Sequence, residues 1–259
     1  MSAVIHTTPE ARAPRPFAEL VRTELKLFRR EPVALFWGIA FPLILLVVLG
    51  SAVSDKPQKN LGGLRFIDAY VPVLIVFILA ILALNAVPSV LTSYRDKGYL
   101  RRLSTTPVGA PRLLGAQFVI NLGSTACAVA VTLVVARLAF RVALPGQVVG
   151  FLLTVALAAA AMLALGALVS ALAPNQRLAG LFGSLLTFPM MFFAGLWVPR
   201  QQMGATLRQV GDFTPLGAAS GAVHDAMAGH WPHFSHLWVL AAYAVIFSFA
   251  AARLFRWEK

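Results

Sequence analysis

The sequence predicts an all-α polytopic membrane protein with six transmembrane helices. Three observations lead there. The chain is 59% hydrophobic and only 12% charged, whereas a soluble domain carries about 25% charged residues. Its apolar residues gather into six long runs, near 33–53, 69–93, 113–136, 147–172, 178–198 and 237–255. All ten acids lie at or beyond the ends of those runs. Each run reaches the ~20 residues that cross about 30 Å of hydrocarbon at about 1.5 Å per residue.

Residues 1–16 are rich in Pro, Ala and Thr and read as a disordered tail. They do not read as a signal peptide, because the first apolar run starts only near Val33 and is too long for an h-region. Residues 17–32 read as an interface helix along the membrane surface. Phe17, Leu20, Val21, Leu25, Leu27 and Phe28 share one face at 100° per residue, with Arg22, Lys26, Arg29 and Arg30 opposite. Glu24 falls in the middle of the apolar stripe, as a locally paired glutamate or as a contact to a partner. Residues 33–259 then form the six-span domain. Pro42, Pro72, Pro88 and Pro189 sit inside spans and read as kinks, since neighbouring helices re-satisfy the freed carbonyls.

Orientation follows from Lys and Arg. With the N-terminus in the cytoplasm, cytoplasmic segments hold fifteen of the 22 and the other side seven, which favours both termini inside. This sorting also accounts for the net charge of +12 without nucleic acid. The polar stretch 95–108 between spans two and three is then cytoplasmic. The longest loop, 199–236, is external. Its half-apolar composition and the run Ala218–Ala228 predict a re-entrant helical segment rather than a loop in water.

The missing chemistry excludes several classes. Ion-coupled carriers and intramembrane metal- or carboxylate-dependent enzymes need ionisable groups near mid-membrane, and no acid lies there. The Gly-x-x-x-x-Gly-Lys-Ser/Thr phosphate loop is missing too, so energy for pumping comes from another subunit. The lone Cys127 reads as a small apolar residue that makes no internal disulfide. Asn85 and Ser89, spaced i, i+4 on span two, and Asn121 on span three are the candidates for lining a substrate path; the alternative is interhelical glue, about 0.6 kcal/mol per bond. His224, His230, His233 and His236 read as loop-surface residues, with a copper or zinc site as the alternative, because no Cys or carboxylate completes a clear metal set.

Three motifs in order carry a family resemblance over roughly residues 17–257. The first is Glu24-Leu25-Lys26-Leu27-Phe28-Arg29-Arg30-Glu31-Pro32 with Phe41-Pro42. The second is Lys97-Gly98-Tyr99-Leu100-Arg101-Arg102-Leu103 with Thr106-Pro107-Val108. The third is Phe192-Phe193-Ala194-Gly195-Leu196-Trp197-Val198-Pro199 with Thr214-Pro215-Leu216-Gly217. Together they resemble a type-2 ABC exporter permease of the daunorubicin-resistance kind. One departure is visible: members of that family often carry a Glu before the glycine of the coupling loop, and here Arg95-Asp96-Lys97 takes that place.

The resemblance implies an ATP-driven exporter of a drug, antibiotic, lipid or other amphipathic compound, in a bacterial cell membrane. It implies a pair of ABC ATP-binding subunits that hold ATP and Mg, a second permease copy, identical or related, and no cofactor or catalysis in this chain. Asp96, Lys97, Gly98, Tyr99, Leu100, Arg101, Arg102, Leu103, Thr106 and Pro107 match the coupling helix that docks to the ATPase. Leu100 and Leu103 suit a groove, Arg101 and Arg102 an acidic rim, and spans two and three would move as a lever. Glu24, Phe28 and Arg29 match the interface helix; Pro199, Pro215 and Leu216 match the external hairpin. Outside this resemblance, a non-transporting scaffold or sensor that recruits a cytoplasmic partner fits the same sequence, as does a metal-export permease.

Overall fold

The computed structural model describes residues 35–53, 56–96 and 109–254. Among them the fold is all-helical. The interface helix with Glu24, Phe28 and Arg29, and the coupling residues Lys97 to Pro107, lie outside the described residues.

Helix α1 (Phe36–Ala52) starts with a π-wound turn, Phe36–Ala40, and continues as a regular helix from Phe41. Pro42 explains the start. Proline has no N–H and its ring crowds the carbonyl four residues back, so a wider turn before it lets the helix run on. The same device recurs in α2 (residues 66–96), where a π turn at Leu82–Ala86 precedes Pro88. Pro72 and Pro189 likewise lie within continuous helices.

The remaining helices are α3 (Gly109–Phe140), α4 (Val148–Leu172), α5 (Gln176–Ala194), α6 (Ala205–Asp212), α7 (Pro215–Met227) and α8 (Phe234–Leu254). Their starts are encoded locally. Asn175 caps α5, its side-chain oxygen accepting the Leu178 N–H at 3.0 Å. Thr214 caps α7 by accepting from Gly217 N–H at 3.2 Å, and Pro215 fills the first position, where no N–H is needed. This cap starts α7 three residues before the apolar run Ala218–Ala228 that predicts it.

Helix α2 is the centre of the bundle and packs against α1, α3, α4, α5 and α7. Every residue from Ala69 to Ala80 is buried. Helices α4 and α8 pack along their lengths, and α7 wedges against α2, α4, α5 and α8 with most of its residues buried. Large apolar side chains form outward stripes: Leu181, Leu185 and Phe188 on α5, and Trp238, Val245 and Phe249 on α8. In water such stripes are a liability; in lipid they are the expected outer face.

Among the described residues five helices are long and apolar enough to cross a membrane, the first of them reaching Asp96, then residues 117–140, α4, α5 and α8. Helix α1, at 17 residues, is the shorter apolar helix that precedes them. The chain is a multi-pass membrane protein.

Two polar ties brace α2 at its N-terminal end. Arg65 pairs with Asp68 at 2.7 Å and donates to the Phe140 carbonyl at 3.1 Å, which joins α2 to the end of α3. Tyr70 Oη donates to the Leu196 carbonyl at 2.7 Å. Tyr70→Phe keeps the ring and removes this bond, so it is expected to cost about 1 kcal/mol, read as a lowered thermal midpoint in detergent. An unchanged midpoint would mean that the carbonyl finds another donor.

Candidate functional site

Cavities flank the bundle among the described residues, two of them well formed. The larger, about 960 Å³, is a groove between α1, the middle of α2 and α5. Aromatic rings contribute to its wall, Trp37 and Phe41 from α1, Phe77 from α2, Phe188 from α5, and Trp197 beyond it, beside aliphatic Leu45, Ile81, Leu82 and Met191. Tyr70, Ser184 and Thr187 line it as well, and a further polar group lies toward the end of α2 near residue 96. There Asn85, carried by the π turn, and Ser89 face Gln176, and Gln176 Nε2 donates to Ser89 Oγ at 2.8 Å. Among the described residues no charged side chain lines the groove. An apolar wall with a few convergent neutral polar groups suits an amphipathic molecule without a buried charge.

Asn85 and Ser89 therefore share one wall of the groove. Asn121 does not line it: it is buried on α3, where its Nδ2 donates to the Gln117 carbonyl at 2.9 Å.

The end of α2 is tied to the connection between α4 and α5. Arg95 donates to the Ser170 carbonyl at 3.3 Å and to the Ala173 carbonyl. Exposed Asp96 accepts the Gln176 N–H at 3.2 Å, so a carboxylate sits on the positive end of the α5 dipole. The chain then enters residues 97–108.

The second cavity, about 440 Å³, lies at the opposite end of α2, under α6 and α7. Arg200 is its anchor. Its guanidinium pairs with Asp212 and donates to the carbonyls of Gly217 at 2.9 Å and Phe193 at 3.3 Å. His236 Nε2 faces Asp212 Oδ1 at 3.2 Å, and its Nδ1 lies 3.9 Å from Asp225 Oδ2. Burial pushes the His224 imidazole below its ordinary range, against the pull of neighbouring Asp225, and Arg200 adds to the lowering. His224, His233 and His236 all line this cavity, yet among the described residues no three His, Cys, Asp or Glu side chains come together as a metal-holding group. Pro199 leads into the short 3₁₀ turn Arg200–Gln202, Pro215 opens α7, and Leu216 is fully buried beneath it.

The family model of the ABC-2 type transporter matches residues 15–228. The chain belongs to the ABC-2 type transporter family. An ABC-2 domain is the transmembrane permease of an ABC transporter, the membrane component rather than the catalytic one, and it pairs with an ABC ATP-binding subunit. The match runs through α1 to α5, both polar ends of α2 and the α6–α7 pair. Comparison with curated proteins finds no match.

Within this permease, sequence reasoning missed the aromatic wall, since Trp37, Phe41 and Phe188 look like any other residues of an apolar run. It also missed Gln176, whose partner Ser89 lies 87 residues away. Arg200 was legible only as a charge just beyond a span.

Proposed function

We propose that this chain is the permease subunit of an ATP-driven ABC exporter that moves an uncharged or weakly charged amphipathic compound, such as a drug, antibiotic or lipid, out of the cytoplasm or inner leaflet. The observation that carries this reading is the apolar, aromatic-bearing groove between α1, α2 and α5, lined by no charge among the described residues and reaching Ser89 and Gln176, whose backbone N–H donates to Asp96 at the end of α2. The empty membrane interior supports it from the other side: with all ten acids outside the span centres, an ion gradient has no ligand to act on.

In this reading α1 is the first of six spans, and both termini and residues 97–108 face the cytoplasm of a bacterial cell. The α6–α7 pair is an external re-entrant hairpin. Residues 17–32 lie on the inner membrane surface. Two permease copies, identical or related, enclose the path, and a pair of ATP-binding subunits supplies ATP and Mg. Asp96 to Leu103, with Thr106 and Pro107, form the docking helix. An apolar contact from Leu100 and Leu103 inside a basic rim is the kind of small buried core on which such a dock depends.

Leu100→Asp with Leu103→Asp is expected to abolish co-purification of the ATP-binding subunit and to lower export at least tenfold. Co-purification and export at wild-type levels would sink the docking assignment.

A further inference from the structure

Helix α2 is fastened to α4 and α5 at two levels. The first is the π turn. An ideal Cβ built on Gly166 of α4 would lie 2.1 Å from the Ala83 carbonyl oxygen, and one on Gly183 of α5 would lie 2.1 Å from the Leu84 carbonyl oxygen. Two successive carbonyls of the π turn thus press against the backbones of two different helices, in spaces that only glycine leaves open. Each glycine's own carbonyl is held by a hydroxyl four residues on, Ser170 Oγ at 2.8 Å and Thr187 Oγ1 at 2.7 Å.

The second level is the end of α2. Arg95 reaches the carbonyls of Ser170 and Ala173, and Asp96 takes the Gln176 N–H. Leu84 and Arg95 are eleven residues apart, or about 16 Å along a helix. One contact point leaves a helix free to pivot; two, about 16 Å apart, fix its direction. The Ser89–Gln176 bond at 2.8 Å lies between them.

Helix α1 is held differently. It meets α2 through apolar side chains, Leu82 against Gly38 and Phe77 against Phe41 with ring centroids 5.7 Å apart. The Ser51 hydroxyl of α1 bonds within its own helix, to the Val47 and Val48 carbonyls. Apolar contacts of this kind slide at low cost, whereas the hydrogen-bonded ties do not.

We propose that α2, α4 and α5 move as one rigid block in the transport cycle and that α1 is the moving wall of the groove, with Arg95, Gly166 and Gly183 as the positioning residues that make the block. This rests on the permease reading and replaces a lever of α2 and α3 with a different partition. A pull on residues 97–108 passes through Arg95 and Asp96 to α4 and α5 together. Asn85, Ser89 and Gln176 keep their mutual geometry, while Trp37, Phe41 and Leu45 approach or leave them.

The test uses the complex with its ATP-binding subunit in lipid nanodiscs, in a Cys127→Ser background, with spin labels on paired cysteines. One pair reports on the block, Ser93→Cys with Arg177→Cys; the other reports on the α1 wall, Val48→Cys with Leu185→Cys. Between the nucleotide-free and the ATP–vanadate-trapped states, the block pair is expected to hold its distance within about 1 Å, and the wall pair to shift by about 2 Å or more, the scale of helix shifts in switching proteins. A shift in the block pair as large as that in the wall pair overturns the proposal, and so do two static pairs on a complex that hydrolyses ATP. Adding Arg95→Ala is expected to broaden the block-pair distances and shrink the wall-pair shift at least twofold, with Arg95→Lys restoring part of it. No change in either would also overturn it. A failure of the permease reading looks different: no ATP-binding subunit co-purifies, before any label is attached, and the proposal falls with it.

Discussion

Gly183→Ala is expected to destabilise the protein by about 2–3 kcal/mol, the upper part of the range for overpacking a close-packed interior, while Gly180→Ala, one turn away on the same helix, is expected to be neutral or to stabilise by up to about 1 kcal/mol. The two sites share a helix and a substitution, and differ in what a methyl group meets. At Gly180 an added Cβ finds nothing within 4 Å; at Gly183 it would lie 2.1 Å from the Leu84 carbonyl oxygen. A flexible side chain would rotate away, but a carbonyl moves only with its backbone. The π turn must then shift, and with it Asn85 and the half of α2 that leads to residue 96. Gly166→Ala faces the same obstacle at Ala83. Because both glycines act on one segment, the double substitution is expected to cost less than the sum of the singles. Thermal midpoints of the purified protein read these differences at about 2–4 °C per kcal/mol for a chain of this size. If Gly183→Ala and Gly180→Ala melt together, the close approach does not hold α2 in place.

The all-helical, multi-pass character was legible in the sequence because span length and apolar composition are local properties. The apolar runs correspond to α1 through α5 and α8, and the prolines inside them do not break the helices. What was hidden is set by partners far along the chain. The π turn in α2 depends on Pro88 ahead of it, but also on room left by Gly166 and Gly183, which appear in sequence only as small residues suited to tight packing. Arg95 reads as one charge of a basic stretch, and its acceptors at Ser170 and Ala173 lie 75 and 78 residues away. Asn85 and Asn121 are the same residue type at similar depth in two apolar runs. Only the winding of α2 turns one into the groove, while α3 keeps the other on its own backbone.

The ion pair beneath the α6–α7 pair gives the other large expected effect. Arg200→Ala is expected to cost about 2–3 kcal/mol, between the ~0–1 kcal/mol of an exposed pair and the 3–5 kcal/mol of breaking a buried one. The side chains are 12% and 32% exposed, so solvent screens the Asp212 side in part. The loss goes beyond a charge pair. Arg200 spends its donors on Asp212, on the Phe193 carbonyl at the end of α5 and on the Gly217 carbonyl at the start of α7. Removing it takes a donor from the Phe193 carbonyl, a second donor from the Gly217 carbonyl and the guanidinium from Asp212, which is left with His236 at the start of α8. Asp212→Asn is expected to be milder, because the guanidinium keeps both carbonyls. Arg200→Lys is expected to fall close to alanine, since one ammonium cannot fork between three acceptors on three elements. Thermal unfolding of the three variants should therefore rank Arg200→Ala and Arg200→Lys below Asp212→Asn. If Arg200→Lys melts with the wild type, charge alone holds the elements together and the forked geometry contributes nothing.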